Sequence, residues 1–374
     1  MTLDVLMHAE DPGAANILAP LSSGLGDAGL SSRLMASGAA VAYLTDRAIT
    51  HEPVSDGAGE VLDSVHPRVL VAGTSEDRDG FGLALIDAAR ERAIPSLGAV
   101  DMLANAAFRF RGNSDDPLRH APDWLAVPDQ ATADAFAKLG FAHDRVVACG
   151  HPHFDVMRAR RAEFATQSRA DLRAERLPDL PADRPLLVFV AEGIDQLNPA
   201  ASRIPQDSAL TGSGQSLDRT TVVLEELLEA VDNLDPRPVT VLRLHPKNRP
   251  DDYGALADRV DHVSHGGDAL PLIWCADLVA GMTTFLLVEA HLLGRPTLSV
   301  LPDPTDSVWL PTTAAGATPV VSTRESLATA LADRLQARTA KVQDNALLPS
   351  GATQRYVQLV GNLVDLEKHS NRAQ

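Results

Sequence analysis

Two neighbouring stretches decide the fold: VLRLHPKNRPDDY (241–253) and DHVSHGGDALPLIWCADLVAGMTTFLLVEAHLLGRPTLSV (261–300). In the first, an aliphatic run ends at Leu244 and passes straight into His245-Pro246-Lys247. In the second, DLVAG (277–281) closes on Gly281, an apolar helical stretch covers 284–293, and PTLSV (296–300) follows. Short aliphatic strands alternating with helices predict parallel strands joined by crossover helices.

The same alternation extends outward. In the first half, strands are expected near 3–8, 32–36, 68–73, 94–99, 123–127 and 145–149, with helices such as 14–25, 79–93 and 130–139 between them. In the second half, strands are expected at 186–191, 238–244, 260–263, 277–280, 296–300 and 318–321. Helices near 218–232, 269–275, 284–293, 323–340 and 352–368 complete the pattern. Between the halves, 158–185 turns highly charged and then proline-rich, as an interdomain linker does. The expected division is an N-terminal lobe 1–157, a linker 158–185, a C-terminal lobe 186–345 and a final segment 346–374 that returns to the first lobe. The segment 192–217 lacks any period and follows a buried strand, which marks it as a functional or mobile loop.

Composition narrows the function. The 374 residues are 45% hydrophobic but only 4% aromatic, so the cores are built from aliphatic side chains, which suits covered parallel sheets. The formal charge is −17, with lysine only at 138, 247, 341 and 368; a nucleic-acid partner would need a basic footprint that is missing. Cys149 and Cys275 sit in apolar stretches without CxxC spacing and are expected to be buried thiols. His120, His143, His262, His291 and His369 show no metal-ligand spacing, so no metal site and no cofactor are expected. No signal peptide or membrane-spanning run is read, and a cytoplasmic protein is expected. GxGxxG and GxxxxGK[ST] are both absent, which argues against an NAD enzyme and a P-loop ATPase.

The chemistry concentrates in 241–300. Arg243, His245 and Lys247 stand at a strand end and could donate to phosphate oxygens. Gly281 allows close backbone approach, and Thr283 or Thr284 is placed to cap the next helix, whose free amides suit a pyrophosphate. Glu289 lies in an otherwise apolar helix, where a buried carboxylate needs donors; a ribose diol supplies two.

These residues resemble the nucleotide-binding half of GT-B glycosyltransferases of bacterial surface carbohydrates and capsules, with UDP-N-acetylglucosamine 2-epimerases as structural cousins. The resemblance implies two Rossmann-like lobes facing across a cleft, with the C-terminal helix crossing back to the first lobe. It places donor phosphates at Gly281, Met282, Thr283 and Thr284, the ribose at Glu289, and the base near His265, Gly266 and Gly267. RVVACGHPHFD (145–155) resembles the GNPxFD-like exit from the first lobe, with His151 in place of Asn. PDWLAVPDQATADAFAKLGF (122–141) resembles the strand and helix before that exit, and LLPSGATQRYVQLV (347–360) the start of the final helix.

In the first lobe, MHAEDPGAANIL (7–18) places His8, Glu10 and Asp11 at the carboxyl end of the first strand. Asp11 is the first choice for a base that deprotonates an acceptor hydroxyl, with His8 and Glu10 behind it; equally, one of these carboxylates could cap the helix opening near Ala14. Gly13, Asn16, Thr74, Ser75, Asp101 and Asn105 could line the acceptor side, as could Arg109, though caps and salt bridges explain several of them as well. The reading is a metal-independent glycosyltransferase acting between a nucleotide-sugar donor and a carbohydrate, lipid-linked or small-molecule acceptor, and it is compatible with a homo-oligomer. The alternatives are a nucleotide-sugar epimerase or hydrolase on the same fold, or a non-catalytic nucleotide-sugar-binding protein.

Overall fold

The computed structural model describes residues 3–75, 77–193, 203–214, 216, 218–336 and 347–372, with 369–372 by backbone alone. Contacts divide the chain into two compact units, one of residues 1–156 and 348–374, the other of residues 157–347.

The first unit holds a seven-stranded parallel sheet. Its strands are β1 (Val5–Ala9), β2 (Ser32–Ala36), β3 (Glu52–Pro53), β4 (Val69–Gly73), β5 (Ser96–Ala99), β6 (Trp124–Val127) and β7 (Val146–Ala148), in the order β3-β2-β1-β4-β5-β6-β7. Alternate residues of the central strands enter two different cores. Val5, Met7, Val69 and Val71 pack on one face, and Leu6, Leu70 and Ala72 on the other. Both faces are therefore covered, which is why these strands read as unbroken aliphatic runs. β3 escapes a sequence reading because its two residues are both exposed and carry no hydrophobic pattern. The helix expected over 14–25 is two helices, Pro12–Leu18 and Leu21–Asp27, with Pro20 at the break, where proline cannot donate to the helical ladder.

The second unit holds a six-stranded parallel sheet of β8 (Leu186–Val190), β9 (Val239–Arg243), β10 (His262–Ser264), β11 (Leu278–Gly281), β12 (Thr297–Val300) and β13 (Val320–Val321). Their order is β10-β9-β8-β11-β12-β13. The helix Arg219–Asp232 lays Val223, Leu224, Leu227, Leu228 and Val231 on one face of this sheet. The segment 158–185 carries helical residues up to Phe164 and a further helix, Arg169–Arg176, and is grouped with the second unit. Arg169 hydrogen-bonds the carbonyls of Trp274, Cys275 and Ala276, satisfying acceptors left at the end of the helix Leu270–Cys275.

The final helix, Ala352–Arg372, belongs to the first unit. Tyr356, Val360, Leu363 and Val364 join the same core as β1 and β4. Cys149 and Cys275 are buried free thiols, with burial pushing them up to about 12 and about 11. Of the loop 192–217, residues 194–202, 215 and 217 lie outside the described residues, as do 337–340 at the end of the helix expected over 323–340. The proposed lobe boundary at 345/346 also lies outside them. Among the described residues, no helix is long and apolar enough to cross a membrane.

Candidate functional site

In the second sheet the chain runs from β8 outward through β9 to β10, then returns to β11 on the opposite side of β8. The connections diverge between the carboxyl ends of β8 and β11, which is where open parallel sheets hold ligands. Glu192 and Thr283 meet there. The Glu192 carboxylate accepts a very short hydrogen bond from the Thr283 amide, and its Oε1 accepts a second from Thr283 Oγ1 at 2.7 Å. Glu192 is 6% exposed, so a charge there requires such donors. Sequence reasoning missed Glu192 as a site residue, although it marked the loop that begins with it.

The turn after β9 is tied to the same place. Asn248 Nδ2 donates to the Glu192 carbonyl at 2.7 Å and to the buried Tyr253 hydroxyl at 2.7 Å. His245 is half-buried, and its Nδ1 accepts from the Lys247 amide at 3.3 Å. A side chain at Gly193 would meet that ring at 3.3 Å, so His245 lies against the chain leaving β8. Lys247 is exposed.

Other residues expected to bind the nucleotide are placed differently. Arg243 is buried and braces the turn after β10, donating to Ser264 Oγ at 3.0 Å and to the Gly267 carbonyl at 2.9 Å. That turn holds the exposed His265, Gly266 and Gly267, the two glycines at φ +62° and +59°, where a side chain would be strained. Gly281 is small because β8 lies against it: a Cβ would come within 2.7 Å of Val190 Cγ2 and 3.0 Å of the Val190 carbonyl. The Met282 side chain is buried in the sheet's core. Of the two threonines, Thr284 serves the start of the following helix. The helix spans Leu286–Leu292 with Phe285 at the N-cap, and Thr284 Oγ1 accepts a 3.4 Å hydrogen bond from the Leu286 amide. Glu289 lies in its first turn and is 5% exposed.

In the first sheet the reversal falls between β1 and β4. His8, Glu10 and Asp11 stand at the β1 side, and Thr74 and Ser75 at the β4 side. His8 is completely buried. Its Nε2 meets Ser37 Oγ at 3.0 Å, while Nδ1 has no hydrogen-bond partner among the described residues. Burial pushes its pKa down to about 4, so the ring is neutral near pH 7. Glu10 caps a remote helix: Oε1 accepts from Phe81 N at 3.0 Å and Oε2 from Gly82 N at 3.4 Å, at the start of Phe81–Glu91. Burial raises its pKa against the pull of those amides, and the charges of Asp11 and Asp77 raise it further. Asp11 takes the N-cap position of Pro12–Leu18 in extended conformation, and its side chain makes no capping bond.

Asp101 reaches this edge from beyond β5. It pairs with the buried Arg109 at 3.2 Å and accepts from Thr74 Oγ1 at 3.5 Å. A Cβ on Gly13 would lie 2.2 Å from Asp101 Oδ2, so glycine at 13 is what admits the carboxylate. Gly13, Thr74, Asp101 and Arg109 thus form one cluster. Asn16 instead accepts from the Tyr43 hydroxyl at 2.7 Å, and Ser75 Oγ accepts from Asp77 N at 3.0 Å. Asn105 adopts φ +59° at the start of a short turn. Among the described residues, no three His, Cys, Asp or Glu side chains gather as a metal-ligand set.

No protein family and no curated protein sequence matches the chain. Solved structures do. The UDP-GlcNAc 2-epimerase from Neisseria meningitidis bound to UDP-GlcNAc superposes with a TM-score of 0.68 at 14% identity, covering 96% of this chain and 100% of that one. HepE from Anabaena in complex with UDP gives 0.56 at 15% identity, covering 99% and 100%. A variant of the wall teichoic acid polymerase TagF gives 0.57 at 14% identity, covering 98% and 90%. The chain has the GT-B fold. At these identities the likeness is one of fold, and within the GT-B fold it spans both units rather than one.

Proposed function

We propose that the chain is a nucleotide-sugar-dependent glycosyltransferase whose second unit binds the donor and whose first unit binds the acceptor. The observation that carries the donor assignment is the strand reversal between β8 and β11, where the Thr283 amide and hydroxyl lie and after which Glu289 stands in the first turn of the helix leaving β11. Glu289 is assigned to the ribose, whose diol can donate to a carboxylate. Neighbours solved with UDP-GlcNAc and UDP support a nucleotide of this class. His245 and Lys247 are assigned to the charge that grows on the leaving phosphate. Asp11 is assigned as the base from its half-buried place at the carboxyl end of β1; His8 is sealed in the core, and Glu10 accepts from helix amides. No metal is invoked.

A second reading is favoured by the TM-scores, which reach 0.68 for an epimerase against 0.57 for the polymerase. An epimerase would use the same nucleotide site without an acceptor.

Thermal-shift titrations with UDP, CDP, GDP, dTDP and CMP test the donor site. One nucleotide is expected to raise the melting temperature by mass action, and Glu289→Ala to abolish the shift. Asp11→Asn is expected to keep the shift and lose turnover. Absence of any shift at millimolar nucleotide would overturn the donor assignment. A sugar isomer formed from UDP-N-acetylglucosamine alone would establish the epimerase reading instead.

A further inference from the structure

Glu192 stands where a donor phosphate is expected. The Thr283 amide and hydroxyl are the groups at the end of β11 best suited to an anion, and both already donate to one carboxylate oxygen of Glu192. Thr283 is itself 7% exposed, so its donors have little access to water in place of that carboxylate. The backbone of Glu192 is held by Asn248, which Tyr253 in turn engages. The backbone and the carboxylate of Glu192 are thus held by different partners, so releasing Thr283 does not require releasing Asn248. Glu192 also acts on Asp306, which pairs with Arg219 at 2.7 Å: burial raises the Asp306 pKa most, Arg219 lowers it, and the charges of Asp303 and Glu192 raise it. A phosphate and a carboxylate cannot share the same two donors, and their repulsion is strong at such separations.

We propose that Glu192 is a built-in competitor of the donor phosphate: its carboxylate occupies the Thr283 donors until the phosphate displaces it. This rests on the nucleotide reading of the second unit. The device gives the site an internal threshold, since a nucleoside that brings no phosphate has nothing with which to displace Glu192. It also makes Glu192 a determinant of affinity through its absence from the bound contacts rather than through a contact with the ligand.

Calorimetric binding of UDP, uridine and inorganic pyrophosphate to the full chain, wild type and Glu192→Ala, tests this. Glu192→Ala is expected to bind UDP about tenfold more tightly, as removal of one charge-assisted competitor implies. Pyrophosphate is expected to gain affinity in parallel, and uridine to be unchanged. Glu192→Gln, which keeps the shape of the side chain, is expected to fall between wild type and alanine and serves if the alanine variant does not fold. If UDP binds wild type and binds Glu192→Ala no better, the competitor is refuted while the nucleotide site stands. If neither UDP nor pyrophosphate binds either protein, both proposals fall. Equal gains for uridine and UDP would also refute the competitor, because the effect would not involve the phosphate.

Discussion

His8 illustrates how a single titratable residue couples the first unit to pH. Its imidazole is wholly buried, and burial alone depresses its pKa from 6.5 to about 4. Between those values the unfolded chain binds a proton that the native chain refuses, so native stability increases with pH across this window. The contribution is complete above 6.5 and is lost as the pH falls toward 4, about 3 kcal/mol in all. Urea unfolding at about pH 7 and about pH 5 should show wild type losing ~2 kcal/mol more than His8→Gln. Equal losses would mean that the ring is accessible to protons in the native state. The residue types at this edge were legible in the sequence, but their assignments were not. Glu10 and Asp11 are adjacent carboxylates, and only the placement of the Phe81 and Gly82 amides, seventy residues away, makes one of them a helix cap.

Strand packing decides the role of Gly281. Its sequence context, the last residue of a strand before two threonines, suits a glycine that lets a phosphate approach. In the structure the neighbour is β8, and an added methyl would meet both the Val190 side chain and its carbonyl. Gly281→Ala is therefore expected to cost about 1–3 kcal/mol through overpacking of the β8–β11 pair. Its urea midpoint should fall with the denaturant slope unchanged; an unaltered midpoint would show that the strands give way freely. Helices obeyed local rules more faithfully. Pro20 splits the first helical stretch, and the N-caps Asp129, Ser168 and Asp218 each accept from the amide three residues on.

The far end of the chain completes the first unit. Tyr356 is fully buried, and its hydroxyl reaches the Ala126 carbonyl at 3.4 Å on β6. Tyr356→Ala is expected to destabilise that unit by about 3–5 kcal/mol. Hydrogen exchange should lose protection in β1 and β4 and keep it in β8 and β11. Loss in both sheets alike would show that the two units unfold as one.

Aliphatic runs of four to six residues, each closed by glycine, proline or a polar residue, determined from sequence alone that there are two parallel sheets. Burial on both faces forces that pattern onto every central strand. The strand ends, where open parallel sheets hold ligands, were also legible, whereas the strand order was not. What each polar residue does there was decided only by the tertiary structure. Glu10 and Glu192 each come after an alanine just beyond the first strand of their sheet, yet one carboxylate caps a helix and the other engages Thr283. A hydrogen bond is set by which donor lies within about 3 Å, and those donors come from chain segments 71 and 91 residues away.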